Sequence, residues 1–441
     1  MYDKEKAAKN FSKMLQYRTV AGNKADFVGF RDALKEMYPN INKTCKLELI
    51  GEKGIMYTWK GQNEQNSEKT GNKSIVLMSH YDVVPADNEK WKYPPFSGAQ
   101  AEGKIWGRGA LDTKGTLCAI MESVEALISQ GFTPKADIYL CFGGDEETAG
   151  NGAIQIARQL KIRNVRPYLV LDEGGAVIDG KVIGVNHPCA FVGIAEKGYM
   201  DVEFLTSGTG GHSSLTGAHN PIVTMSEVIK RLNSKVFKPR LSRPAKIMVD
   251  AASKHSGFKL GLLLRSYFIW GKLFRKFFIK ILPEIDAFTR TVGAITQISG
   301  GSAENIIPEQ VRAVGNFRII NGSSVAETLS VIKKALSGID VKVNLISGLE
   351  PSVISDTSGY GWQTLTNAVS EIWQGSVIIP YLMMARSDSR SYGNISENIF
   401  RFTPVTLTRD KRVSIHGVNE NISKEGFFRI IDFYICLIRE N

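Results

Sequence analysis

Hydrophobic residues fall along this chain in two rhythms. SIVLM at 74–78, ADIYLCF at 136–142 and YLVL at 168–171 are short and apolar almost throughout, as expected of strands buried on both faces. Between the first two, TLCAIMESVEALISQ at 116–130 has helical spacing, and a further helix is expected around 358–373. The rhythm changes near AEKGYMDVEF. KGYMDVEFLT (197–206) alternates like a half-exposed strand, PIVTMSEVIKRL (221–232) has helical spacing, and TVGAITQIS (291–299) and VRAVGNFRI (311–319) look like strands. SVAETLSVIKKAL (324–336) is a helix that Ser323 or Ser324 can cap, and the unit closes near VKVNLISG at 341–348. Strand–helix–strand–strand–helix–strand is the order of a split βαβ, ferredoxin-like unit.

A chain of 441 residues exceeds a single typical core, so two domains are expected. The pattern predicts an α/β domain from 1–192 and 350–441, with an α+β domain inserted at 193–349. Five cysteines, an odd number scattered mostly through apolar runs, read as reduced core residues rather than a disulfide framework.

The chemistry sits where the apolar runs end. SHYDVVP supplies His80 and Asp82, GRGALDTKG supplies Asp112, GGDEE supplies Glu146 and Glu147, LDEGG supplies Asp172 and Glu173, and SIHG supplies His416. Parallel strands that deliver acids at their carboxyl ends describe the crevice where open α/β sheets bind ligands. Two imidazoles with several carboxylates suit divalent cations. One zinc needs only three protein ligands, and this surplus favours two metals sharing a bridging carboxylate, for which Asp112 is the best candidate. A carboxylate bound to metal loses its basicity, so the adjacent acids divide the work: Glu146 handles the proton and Glu147 holds metal. Asp82, two residues beyond His80, can fix the orientation of that ring.

These motifs resemble those of the co-catalytic zinc amidohydrolases, which include aminoacylase, succinyl-diaminopimelate desuccinylase and glutamate carboxypeptidase. The likeness is greatest to the carboxypeptidase S and secreted N-acyl-amino-acid amidase branch. SHYDVVP, W…PPFSG, GRGALDTKG, DEE, DEGG, AEKGYM, GHSS, ENIIP, NFRI, DSR and IHGVNE occur in the family's order. The resemblance implies a zinc-peptidase-like catalytic domain, a mixed sheet sandwiched by helices, with a ferredoxin-like lid and dimerisation domain inserted. It implies His80 and an acid of LDEGG on one zinc, Glu147 and His416 on the other, and Asp112 between them, followed by a cis peptide bond. Neighbours on a strand point to opposite faces, so one of Asp172 and Glu173 reaches the metal; Asp172 is preferred. The resemblance also implies that His212 reaches the partner subunit's site in a homodimer to stabilise the oxyanion, with Asn305 as a second donor. Arg390 is a candidate for the substrate carboxylate, with a structural salt bridge as the alternative. His187 and His255 read as ordinary surface or packing residues, and His219 as part of a helix cap.

The expected reaction is attack by a zinc-bound hydroxide on the amide of an N-acyl-amino acid or short peptide, next to its free carboxylate. Manganese or cobalt could occupy the same ligands. The competing readings are a catalytically silent amino-acid or peptide binder on the same scaffold and a basic surface protein. The net charge of +11 motivates the latter, and 254–280 contributes seven Lys or Arg with no acid among its aromatics. That segment is too often broken by charge to span a bilayer. Either it contacts an anionic membrane surface or guides an acyl chain, or it is a plain insertion packed on the lid. No nucleic-acid motif accompanies it. Residues 1–20 carry alternating charges and no apolar stretch of signal-peptide length, which departs from the targeted relatives and points to the cytoplasm.

Overall fold

The computed structural model describes residues 2–62, 74–214, 219–234, 236–257, 261–262, 264 and 284–441. Its strands, in chain order, are β1 (Lys46–Ile50), β2 (Gly54–Trp59), β3 (Ile75–His80), β4 (Ala99–Ala101), β5 (Lys104–Trp106), β6 (Ile138–Gly143), β7 (Leu169–Ile178), β8 (Cys189–Glu196), β9 (Gly198–Ser207), β10 (Gly211–His212), β11 (Val292–Gly300), β12 (Ile306–Ile307), β13 (Gln310–Ile319), β14 (Lys342–Leu349), β15 (Val377–Met383), β16 (Ile399–Thr406) and β17 (Asn421–Ser423).

Eight of them form one mixed sheet in the order β1-β2-β6-β3-β7-β16-β8-β15. Its centre is parallel: β3 runs with β6 and β7, and β7 with β16. Every residue of β3 and β6 is buried, because helices cover both faces. Ile75 and Leu77 join a core with the helices Lys114–Ser129, Tyr360–Ile372 and Lys424–Glu440, while Val76 and Met78 pack on the other face against Gly152–Ile162. Burial of each such side chain contributes roughly 1.5–3 kcal/mol, so the sheet centre is a stiff platform. Register aligns the strand ends: His80 pairs with Gly143 and Leu77 with Leu171. The three acid-bearing segments therefore emerge along one edge of the sheet.

A second, antiparallel sheet has the order β11-β13-β9-β14. Met200, Val202 and Phe204 of β9 pack with Met225 and Val228 of the helix Pro221–Asn233, with Ile332 of the helix Val325–Ala335 and with Leu336 at its end. Ser324 caps the latter helix in a reciprocal capping box with Glu327. The cap of Pro221–Asn233 is Asn220, which accepts from the Ile222 amide; His219 instead faces the Thr224 hydroxyl at 3.3 Å. The helix Arg243–His255 behaves differently from its neighbours in sequence. It packs Met248 and Ala252 against Val377 and Ile379 of β15, covering the edge of the large sheet.

All five cysteines are free and buried. No helix among the described residues is long and apolar enough to cross a membrane. The basic aromatic segment at 254–280 lies largely outside the described residues, as do the expectations attached to it.

Candidate metal centre

His80 ends β3 and is almost fully buried. Its Nδ1 donates to the Asp82 carbonyl oxygen at 3.0 Å, with the Asp82 Oδ1 at 3.3 Å. That contact leaves Nε2 free to face carboxylates: Asp112 Oδ1 at 2.9 Å and Glu173 Oε1 at 3.5 Å. Asp82 does a second job. Its two oxygens accept the amides of Glu146 (3.2 Å) and Glu147 (3.0 Å), so one residue sets both the imidazole and the acidic turn after β6.

Asp112 turns its other oxygen to the second histidine. Oδ2 lies 3.0 Å from His416 Nε2, which is also 3.1 Å from Glu147 Oε1. The peptide after Asp112 is cis. Two groups result, His80–Asp112–Glu173 and Asp112–Glu147–His416, with the ligand atoms of each within 4.8 Å of one another. Ligands about 2.0–2.2 Å from a tetrahedral zinc lie about 3.4 Å from each other, close to these spacings. Each pocket offers one imidazole nitrogen and two carboxylate oxygens, and the donor set fits a pair of divalent cations.

Electrostatics agree. Burial alone would lower the proton affinity of His80, but Glu173, Asp112 and Asp82 override it and hold the ring well above the ordinary histidine value. Hydrogen bonds to Asp112 and Glu147 push His416 up to about 10. Burial works against the charge on Asp112, yet the two histidines hold its carboxyl well below the usual range. Glu146 belongs to neither group. Burial, with Glu147, Asp112 and Asp82 nearby, pushes it up to about 7 against the opposing pull of His80.

One expectation changes. The preference for Asp172 is reversed: it is the buried neighbour, accepting the Ser389 amide at 2.8 Å, while Glu173 joins His80 and Asp112. The physical reason lies in the glycines of LDEGG. Arg401 of β16 pairs with Asp172 and Phe402 with Gly175, so Glu173 and Gly174 form a bulge that re-aims the acid. Gly174 has φ +145, and a Cβ on Gly175 would stand 1.8 Å from the Phe191 carbonyl oxygen; only glycine tolerates both. Arg390 makes protein contacts of its own. Its guanidinium donates to the Glu350 carbonyl at 2.6 Å and lies 3.5 Å from Glu196, a fully buried acid also bound by Arg401 at 2.7 Å. This is the salt-bridge alternative. His212 and Asn305 lie on neighbouring segments: His212 pairs with Ile306 between β10 and β12, and the Ser213 amide donates to the Asn305 carbonyl. His212 is exposed, with Nδ1 on the Ser214 hydroxyl at 2.8 Å.

One residue escaped the sequence reading. Glu420 is fully buried and pairs with Arg108 at 2.7 Å, while its two oxygens accept the amides of Gly109, Leu111 and Asp112. The available signal was the acid that ends IHGVNE, four residues after His416.

Known proteins share this sequence and fold. Residues 76–440 match the profile of Peptidase family M20/M25/M40. The chain is 33% identical over 448 residues to "Probable carboxypeptidase S-like 2" of Dictyostelium discoideum, covering 98% of this chain and 84% of that protein. It is 31% identical over 417 residues to "N-fatty-acyl-amino acid synthase/hydrolase PM20D1" of Xenopus tropicalis, covering 93% and 80%. The fold matches the M20 family metallo-carboxypeptidase Sso-CP2 from Sulfolobus solfataricus with a TM-score of 0.70 at 16% identity, over 98% of each chain. The profile match over most of the chain and the identity to these relatives, with a carboxylate shared between two histidine-and-acid pockets here, identify the chain as a member of peptidase family M20/M25/M40 and a metal-dependent hydrolase of amide bonds.

Proposed function

We propose that the chain hydrolyses an amide next to a free carboxylate, with an N-acyl-amino acid as the substrate class and a short peptide as the competing one. The observation that carries this reading is Asp112, whose two oxygens face different histidines, each backed by its own acid. His80, Asp112 and Glu173 would hold one cation and Asp112, Glu147 and His416 the other. Two zinc ions are the assignment, with manganese or cobalt able to use the same donors. When bound, the ions supply Lewis acidity to the scissile carbonyl and to water.

The chain's own residues do the rest. Glu146 takes the proton from the attacking water and returns it to the leaving amine. An acid whose proton affinity lies near neutrality can do both. Asp82 orients His80 and the turn that carries Glu146. We assign 1–192 and 350–441 as the catalytic domain and 193–349 as a lid and dimerisation domain. His212, exposed on the β10–β12 ribbon with Asn305 on the neighbouring segment, would serve the partner subunit's site in a homodimer, where the pair stabilises the developing oxyanion. Five free, buried cysteines suit a reducing compartment such as the cytoplasm. A silent binding protein has no use for a general base, and the family assignment disfavours that alternative.

The substrate preference rests on the relative named as an N-fatty-acyl-amino acid hydrolase. The test is a kcat/KM series on one amino acid, from acetyl to oleoyl, run beside dipeptides. Each buried methylene is worth about 0.8 kcal/mol, so four more sheltered carbons should raise kcat/KM by about tenfold or more. A flat or falling series with efficient dipeptide cleavage would return the enzyme to the peptidase reading.

A further inference from the structure

The two pockets share Asp112, yet only one has its remaining ligands on loops. His416 and Glu147 meet across 269 residues of sequence. His416 has φ +59 and a side chain that is 51% exposed. Left-handed backbone at a non-glycine residue costs roughly 1–2 kcal/mol, so the loop requires support from elsewhere. That support is visible one turn further along the chain.

Glu420 lies four residues after His416 and makes no contact with the outside. Oε2 accepts from Arg108 at 2.7 Å and from the Gly109 amide at 3.1 Å. Oε1 accepts from the amides of Leu111 at 2.7 Å and Asp112 at 3.1 Å. The Glu420 carbonyl takes the Gly107 amide at 3.0 Å, and β17 continues the contact by pairing with β5. Arg108 closes the circuit by donating from its second terminal nitrogen to the Gly417 carbonyl at 2.8 Å. The carboxylate is saturated by donors that all belong to the Asp112 loop, and the arginine grips the His416 loop in return.

We infer that Glu420, together with Arg108, is a positioning residue for the second cation pocket, locking the Asp112 loop to the His416 loop so that both ligands face one ion. The first pocket depends on this lock far less, because His80 and Glu173 are mounted on β3 and β7 and only Asp112 is shared. The inference rests on the two-cation reading above. Burying an ion pair is weak evidence for stability alone, whereas a carboxylate with three loop amides fixes geometry. Replacing Glu420 with Gln puts an NH2 group against loop donors on one side, losing those bonds and creating a donor–donor clash.

The experiment titrates metal-free wild type, Glu420→Gln and Arg108→Lys with zinc by calorimetry and with cobalt by visible absorption, with circular dichroism as the check on folding. Wild type should show two binding events. Glu420→Gln should retain one near wild-type affinity and lose about 10–100-fold in the other, the usual cost of removing a group that orients metal ligands. The absorption of the second cobalt should be lost with it. Arg108→Lys keeps the charge opposite Glu420 but cannot reach Gly417 as well, so it should weaken the same event by less. If Glu420→Gln does not fold, Arg108→Lys carries the test alone: selective weakening of one event supports the lock. Two unchanged events in a folded Glu420→Gln, or in Arg108→Lys where only that variant folds, or equal weakening of both events, would overturn it. A wild type that binds fewer than two cations would instead overturn the functional reading on which the inference rests.

Discussion

The two halves of the metal centre use the same donor types and are mounted in opposite ways. His80 is 2% exposed at the end of a strand buried on both faces, and Glu173 projects from the neighbouring strand. His416 is 51% exposed on a loop with left-handed backbone, and Glu147 sits in the turn after β6. The first pocket comes with the folding of the sheet, because the register that buries Ile75, Val76, Leu77 and Met78 also fixes where His80 ends up. The second is assembled from segments distant in sequence, and it relies on polar contacts rather than on packing. Identical chemistry can thus be built on a stiff platform and on a braced one. The braced half is where affinity can be tuned without unfolding the protein.

The largest expected effect shows that catalysis separates from both mountings. Glu146 lies in neither ligand group, so Glu146→Ala should keep both cations while kcat falls about 10²–10⁴-fold, the usual contribution of a general base. Metal analysis beside steady-state kinetics checks this. A variant with both ions and a near wild-type rate would remove Glu146 from the mechanism.

A smaller effect tests what the two pockets have in common. Both histidines hold their protons above the ordinary value, His416 up to about 10. At neutral pH each metal-free ring is therefore protonated, and a cation must displace that proton to bind. Lowering the pH fills the rings with protons and opposes binding; raising it toward 10 relieves the competition. Apparent affinity should fall by about tenfold per pH unit for each proton displaced between pH 8 and 6. Calorimetry in buffers of different ionisation enthalpy counts the protons. Affinity that does not change with pH would mean that the histidines are not ligands.

The stiff half of the site was far more legible in the sequence than the braced half. Continuous apolar runs marked β3, β6 and β7, and the polar residues closing each run marked the edge of the sheet where the acids emerge. The capping serines and the alternation of β9 announced the second sheet, whose strands run in the expected order. Period-two reasoning said that one of Asp172 and Glu173 faces the site, but not which one. That choice depends on a bulge created with Gly174 and Gly175 against β16, a partner more than 220 residues away. The salt bridge of Arg390 was hidden for a similar reason. Its anionic partner, Glu196, ends β8, and nothing local predicts that the two will meet. Glu420 was marked only by its place at the end of IHGVNE, because most of its partners are backbone amides, which carry no sequence signal. The docking of Arg243–His255 on β15 was equally hidden, since its neighbours in sequence belong to the second sheet.

The central claim is that Asp112 joins two cation pockets, and counting cations tests it most directly. Wild type and His416→Ala, stripped of metal and reloaded with zinc, would be analysed by mass spectrometry beside turnover of an N-acyl-amino acid. The account predicts two zinc ions per wild-type chain, one in His416→Ala with the His80 pocket still filled, and full activity only with two. A fully active wild type that holds a single ion, or a His416→Ala chain that still holds two, would contradict it.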